Sequence, residues 1–296
     1  MASYNHLSRQ DLQALADEAV KQLGECRICP RCCQVDRLAG DRGFCRIGRL
    51  ARVSSAGPHY GEEPPLVGQH GSGTIFFAGC NLSCIFCQNY EISQQDEGVD
   101  LQASALARVM VRLQEAGCHN INLVSPSHVV PQILEALAIA SQDGLSVPLV
   151  YNSGGYDRVR TLRLLEGIVD IYMPDAKYSN GKVAAMYSAA PDYPERMMQA
   201  ISEMHRQVGD LQIVDGLAVR GLLVRHLVLP GGLAGTAEVM RHLADLSPET
   251  YVNVMDQYRP EYRACQCPEL DRSITPREYR IALEMARAAG LHRGFS

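Results

Sequence analysis

From residue 74 onward the chain alternates short apolar runs with stretches of helical periodicity, and that alternation leaves few folds open. The apolar runs are residues 74–78, 121–124, 147–151, 169–173, 222–229 and 250–255. Each has the length of a strand, and near-continuous apolar character marks strands buried on both faces. Helical stretches lie between them: 104–115 closed by Gly117, 129–140 with Pro131 in its first turn, 157–165, 181–189, 194–208 and 234–246; residues 276–289 follow the last run. Proline is tolerated in a first turn because its missing N–H has no intrahelical partner there. Six such units predict a parallel sheet with right-handed crossovers. Six are too few to close an eight-fold barrel. The predicted fold class is therefore α/β, a partial, open (βα)6 barrel of TIM-like build.

The N-terminal quarter reads differently. Residues 8–23 place Leu12, Leu15, Ala16, Val20 and Leu23 at helical spacing and end at Gly24. Residues 25–50 are rich in Cys, Arg and Gly, too polar to fold on a core of their own, and a metal would hold them together. Residues 51–73 hold many Gly and Pro and read as a loop or linker. The expected organisation is residues 1–73 as a helix, a Cys-rich metal-binding module and a linker, and 74–296 as the barrel domain. A net charge of −5 offers no basic field to nucleic acid or anionic lipid. No apolar run approaches the ~20 residues that span a membrane. The first twenty residues have no apolar stretch followed by a small-residue cleavage site. The expectation is a cytoplasmic protein without nucleic-acid or membrane partners. Disulfides are rare in that compartment, so eleven cysteines need another explanation. Ten fall in three groups: within 26–45, within 80–87, and Cys265 with Cys267. Cys118 stands alone and reads as a small buried hydrophobe.

Parallel α/β folds carry their chemistry at the C-terminal ends of the strands. Each apolar run here is followed by polar residues or glycine: Gly79-Cys80-Asn81, Ser125-Pro126-Ser127-His128, Asn152-Ser153-Gly154-Gly155, Asp175-Ala176-Lys177, Pro230-Gly231-Gly232 and Asp256-Gln257-Tyr258. The first of these opens a Cys-x3-Cys-x2-Cys loop, Cys80, Cys84 and Cys87, with Phe86 before the last cysteine. Thiolates are the preferred ligands of iron–sulfur clusters. Three of them leave one iron of a cubane without a protein ligand and open to a substrate. A zinc ion with a distant fourth ligand is the other reading of the same thiols. The chain has neither a Gly-x4-Gly-Lys-Ser/Thr phosphate loop nor a Gly-x-Ser-x-Gly nucleophile elbow.

This loop resembles the signature of the radical S-adenosylmethionine (SAM) superfamily. The resemblance implies that Cys80, Cys84 and Cys87 hold a [4Fe-4S] cluster whose open iron chelates the amino and carboxylate groups of SAM. It implies that one electron, from a donor such as a flavodoxin or ferredoxin, then yields methionine and a 5′-deoxyadenosyl radical that abstracts hydrogen. The full loop phrase, Asp175-Ala176-Lys177, and the run from Val224 to Gly231 look like the activating enzymes of glycyl radical enzymes, such as pyruvate formate-lyase activating enzyme. The run from Tyr151 to Tyr156 and Met255-Asp256-Gln257-Tyr258 are similar to the pyruvate formate-lyase activating enzyme-like iron–sulfur proteins, a branch with an N-terminal cysteine module. Many superfamily members hold the SAM amino group with a Gly-Gly-Glu stretch after the second strand. Here Val124-Ser125-Pro126-Ser127-His128 stands there, without the carboxylate, which leaves backbone carbonyls and the Ser127 hydroxyl. The activases also bind a monovalent cation beside SAM. The matching positions are Asn152 (where the family has Asp), Ser153, the Met173 carbonyl and Asp175. Asp175 and Lys177, two apart, face one side of a strand; they and Gln257 complete the expected cofactor-binding set. The implied activity is oxidoreductase-like: hydrogen abstraction, from the glycine of a partner enzyme or another protein or peptide. The alternatives are a radical SAM enzyme acting on a small molecule or modifying another protein, and a non-catalytic iron–sulfur or metal carrier.

Cys26, Cys29, Cys33 and Cys45 form Cys-x2-Cys-x3-Cys-x11-Cys, with Cys32 as an extra thiol. Four thiolates close a tetrahedral zinc site or hold a second cluster, and both readings stand. Cys265 and Cys267 read as two ordinary thiols on a C-terminal loop or as a ligand pair. Arg225 and His226 are neighbours inside the fifth run, so one points into the barrel and the other out; an inward Arg225 needs a carboxylate. Gly231 and Gly232 allow close approach of an adenine or ribose. His128 reads either as a group near the cluster or as an exposed residue at a helix start.

Overall fold

The computed structural model describes residues 2–295. In chain order its elements are α1 (Arg9–Lys21), β1 (Ala51–His59), α2 (Pro64–Val67), β2 (Ser72–Phe77), α3 (Tyr90–Gln94), β3 (Val99–Leu101), α4 (Ala103–Glu115) and β4 (Ile121–Val124). Then come α5 (Val130–Ala140), β5 (Leu149–Ser153), α6 (Val159–Arg163), β6 (Ile171–Pro174), α7 (Gly181–Ser188), α8 (Tyr193–Val208) and β7 (Gln212–Val214). Last are β8 (Leu217–Leu227), α9 (Thr236–Leu246), β9 (Tyr251–Met255) and α10 (Pro276–Ala288). β2, β4, β5, β6, β8 and β9 pair in that order, every neighbour parallel. These are the six strands predicted from the apolar runs, and the architecture is a partial (βα)6 barrel.

Three further strands are antiparallel additions. β1 pairs β2, β3 pairs β1, and β7 pairs β8. β1 and α2 correct the reading of residues 51–73 as a loop or linker: the stretch is an antiparallel partner of the first barrel strand followed by a helical turn. Gly57 and Pro58 are tolerated because that half of β1 pairs on one side only, with β2, and proline is confined to such edges. The β7–β8 hairpin turns at Asp215 (φ 51°) and Gly216 (φ 80°), and Asp-Gly with two positive φ angles is the preferred two-residue hairpin loop.

The main core fills the space between sheet and helices. A smaller cluster lies inside the barrel and includes Leu66, Val150, Ile171, Met173 and Leu223. Leu66 comes from α2, which plugs the floor of the barrel; its full burial contributes about 2 kcal/mol. α1 starts at a capping box in which Ser8 and Asp11 satisfy each other's backbone N–H. It packs on α5. Ser3 donates to Asp170 at 2.8 and 2.7 Å, and the Tyr4 hydroxyl donates to the Val147 carbonyl at 2.9 Å. Among the described residues no helix is long and apolar enough to cross a membrane.

Candidate active site

The cysteine loop leaves the C-terminal end of β2. Gly79 turns it with φ +74°, where a Cβ would stand 2.5 Å from the Cys45 carbonyl. The loop is fastened by main-chain bonds from Ser83 and Ile85 to the Ser188 and Tyr187 carbonyls, at 3.2 and 2.9 Å. Each sulfur has a polar neighbour. The Ser188 hydroxyl donates to Cys84 Sγ at 2.9 Å, the Leu82 N–H donates to Cys80 Sγ at 3.4 Å, and Cys87 Sγ pairs with the Ser93 hydroxyl at 3.2 Å. Phe86 is buried edge-on against Tyr178 and Tyr258. Burial pushes the Cys80 thiol up to about 12 and raises Cys84 as well, although the Lys177 charge opposes the latter. All eleven cysteines are unpaired thiols. Metal binding at such thiols releases their protons.

Facing the loop is a buried charge network. Lys177 Nζ meets Asp175 Oδ2 at 2.6 Å. The Arg225 guanidinium meets Asp175 Oδ1 at 2.9 Å, donates to Asn152 Oδ1 at 2.7 Å and lies 3.6 Å from Glu62 Oε1. Burial alone would raise Asp175, but Arg225 and Lys177 outweigh it and hold the carboxyl below its usual range. Burial would likewise lower Lys177, and the charges of Asp175 and the Cys84 thiolate keep it above its usual value. The inward Arg225 thus has the carboxylate its burial demands. His226 points the other way, between the Ala176 carbonyl and the Thr236 hydroxyl at 2.6 and 2.9 Å, and burial lowers its pKa to about 4.

One cavity of about 230 Å³ gathers the predicted residues: Cys80, Cys84 and Cys87 on one wall, and Ser127, Asn152, Ser153, Asp175, Lys177 and Gln257 on the others. Gly155 makes this crowding possible. Its φ is +75°, and a Cβ would stand 2.0 Å from the Asp175 carbonyl. Ser153 has a partner of its own. It donates to Asp157 Oδ2 at 2.6 Å, and Tyr151 donates to the other oxygen of this buried acid at 2.8 Å. Asp157, Glu62 and Glu63 were not read from the sequence. Glu62 and Glu63 enter from the turn before α2, and Glu63 accepts twice from Asn253, at 2.8 and 3.0 Å. Two adjacent acids before Pro64-Pro65 look like a solvated turn; the unpaired strand cation Arg225 was the signal that could have found them.

Other expectations fall elsewhere. His128 is buried rather than exposed, with Nε2 at 2.9 Å from the Ala78 carbonyl and a pKa lowered by burial to about 4. It lines the N-terminal cysteine pocket, not the open cavity. Gly231 and Gly232 line a separate groove against α10, where the Gly231 N–H donates to Glu278 at 2.7 Å. Cys265 is exposed beside Tyr262, and neither it nor Cys267 lines either cysteine pocket. Cys26, Cys29, Cys33 and Cys45 converge with Cys32 on one closed pocket. Arg31 ties that module to the first loop, donating to the Asn81 and Ala189 carbonyls at 2.8 and 2.5 Å and lying over the Phe44 ring at 3.8 Å.

Comparison with known proteins gives this geometry a context. The profile of the radical SAM superfamily matches residues 74–219. An uncharacterized protein of Methanocaldococcus jannaschii is 32% identical over 274 residues, which cover 90% of this chain and 75% of that protein. Among solved structures, a radical SAM methyltransferase from Sphaerobacter thermophilus superposes with a TM-score of 0.51 at 16% identity, over 75% of this chain and 65% of that one. The FeFe-hydrogenase maturase HydG from Carboxydothermus hydrogenoformans is a weaker likeness, with a TM-score of 0.45 at 13% identity, over 71% and 49% of the two chains.

Proposed function

This chain belongs to the radical SAM superfamily, and from that premise we propose that it cleaves SAM reductively and abstracts hydrogen from a protein substrate in the manner of a glycyl radical activase. The observation that carries the reading is the meeting of a three-thiol loop and the polar ends of five strands at one cavity. The donor set fits the cofactors: three thiols with hydrogen-bonding neighbours for a [4Fe-4S] cluster, and an acid and two cations for a zwitterion. When bound, that cluster supplies the electron that breaks the S–C5′ bond and leaves one iron for the SAM amino and carboxylate groups. The protein's own part is to hold and tune. The bonds from Ser188 and Leu82 to sulfur stabilise thiolate charge, a lever on reduction potential. Asp175, held ionised, would accept from the SAM ammonium in place of the carboxylate that Val124–His128 lacks. Lys177 would meet the SAM carboxylate, and Phe86 packed on Tyr178 and Tyr258 covers one side of the loop. A monovalent cation is not part of this reading, because the Arg225 guanidinium already bridges Asp175 and Asn152. A one-electron protein donor such as a flavodoxin or ferredoxin is.

The glycyl reading of the substrate rests on the resemblance of the loop phrase, Asp175-Ala176-Lys177 and the β8 run to the activases. A small-molecule substrate is the second reading, favoured by the departure after β4. A non-catalytic carrier fits poorly with an open three-thiol site. The test is anaerobic reconstitution with iron and sulfide, reduction, and measurement of 5′-deoxyadenosine from SAM, with Cys84→Ala beside it. Production that vanishes in the variant supports the reading, and an intact cluster that never binds SAM sinks it. A glycyl radical signal on a co-incubated glycyl radical enzyme then separates the two substrates.

A further inference from the structure

The N-terminal pocket holds a charge that its surroundings do not balance. Arg37 is 1% exposed. Its Nε donates to the Gly48 carbonyl at 3.0 Å, its Nη1 donates to the His128 carbonyl at 2.8 Å and lies 3.7 Å from Cys26 Sγ, and its Nη2 has no partner. A guanidinium does not lose its proton in a protein, and a buried charge needs an opposite one. Its polar contacts are carbonyls and a sulfur, so the anions at hand are the thiolates of Cys26, Cys29, Cys33 and Cys45. These line one closed pocket with Arg37. Gly43 is part of the same design, since a Cβ there would stand 2.8 Å from Cys33 Sγ. The Cys32 sulfur instead lies 3.5 Å from the Cys29 carbonyl.

The thiols line one pocket without meeting at a single point. Among the described residues no three His, Cys, Asp or Glu side chains are gathered closely enough to hold one metal ion. That is as true of Cys80, Cys84 and Cys87, the set matching the superfamily's cubane, as of the N-terminal four. Four thiolates on one zinc crowd around a single centre, whereas those of a cluster bind separate irons further apart. We propose that Cys26, Cys29, Cys33 and Cys45 hold a second iron–sulfur cluster, with Arg37 as its buried counter-charge. The site abuts the first one: the Cys45 carbonyl packs on Gly79, next to Cys80, and Arg31 holds Asn81.

The test needs no SAM, so its failure is separate from failure of the function proposed above. The whole chain carrying Cys80→Ala, Cys84→Ala and Cys87→Ala is reconstituted anaerobically with ferrous iron and sulfide, in parallel with zinc. The expected result is that it keeps about half of the wild-type iron and labile sulfide, and that adding Cys29→Ala and Cys45→Ala removes the rest. If the triple variant does not fold, judged by circular dichroism, the complementary Cys26, Cys29, Cys33 and Cys45→Ser variant is expected to lose the same half. Zinc retained with no sulfide, or a folded triple variant without metal, overturns the proposal. Arg37→Gln in the triple variant is expected to move the midpoint potential of the remaining cluster negative, and Arg37→Lys to restore it; an unmoved potential would refute the counter-charge.

Discussion

Around Cys80, Cys84 and Cys87 lie an open cavity, an acid and two cations; around Cys26, Cys29, Cys33 and Cys45 lie a closed pocket and one cation. Both sets are buried or half-buried, and both sit in turns fastened by main-chain bonds. What separates them is what they face. The first loop hangs over strand ends, where a barrel exposes side chains to a ligand. The second faces a buried guanidinium, and Ile28, Phe44 and His128 line the rest of its pocket. Thiol spacing alone does not make a centre reactive; room for a further ligand does.

The comparison can be tested from its largest consequence downward. Cys84→Ala is expected to reduce 5′-deoxyadenosine production to background, while Cys29→Ala leaves the iron on the first loop in place. Iron counts and product assays on the two variants check this, and equal effects would erase the distinction. Next, Asp175→Asn leaves Arg225 and Lys177 facing each other with one acid fewer. Removing one partner from a buried ionic group costs about 4 kcal/mol, which urea unfolding would read; the exposed pair of Arg206 and Glu166 should cost less than about 1 kcal/mol. Acid sharpens the contrast from the barrel side. The unfolded chain protonates His226 near its ordinary 6.5 and the folded chain only near 4. Its contribution is therefore whole above pH 6.5 and lost as pH falls toward 4, about 3 kcal/mol in all. His226→Gln should flatten that limb of the stability curve. Smallest is the tie between the regions: Arg31→Gln removes charged donors from the Asn81 and Ala189 carbonyls and is expected to cost about 1 kcal/mol by thermal unfolding.

The six parallel strands were legible because burial leaves apolar runs of strand length, near-continuous in β2 and alternating in the edge strand β9. Boundaries shifted where side chains did not decide them: residues 147 and 148 read as strand, yet β5 starts at Leu149. β1 was illegible because an edge accepts glycine and proline, so its sequence looks like a loop. Cys80, Cys84, Cys87, Ser127, Asn152, Ser153, Asp175, Lys177 and Gln257 line one cavity, whereas Met173, expected to offer its carbonyl, lies in the inner apolar cluster and His128 turns to the N-terminal pocket. Glu62 and Glu63 escaped notice because nothing local distinguishes an acid at the floor of a barrel from one in water; only the distant Arg225 does. The turn at Gly231-Gly232 shows the converse, since freedom to approach a ligand also serves a turn that meets Glu278.

Arg31 carries a consequence for the order in which the chain is made. It leaves the ribosome 158 residues before Ala189, one of its acceptors. Ser3 and Tyr4 wait 167 and 143 residues for Asp170 and Val147. The N-terminal thiols therefore emerge well before anything can cover them, and the ring around Arg37 closes only once His128, 91 residues downstream, is in place. During that interval the thiols stand open to solvent, and a cluster of the kind proposed above would have to be loaded then.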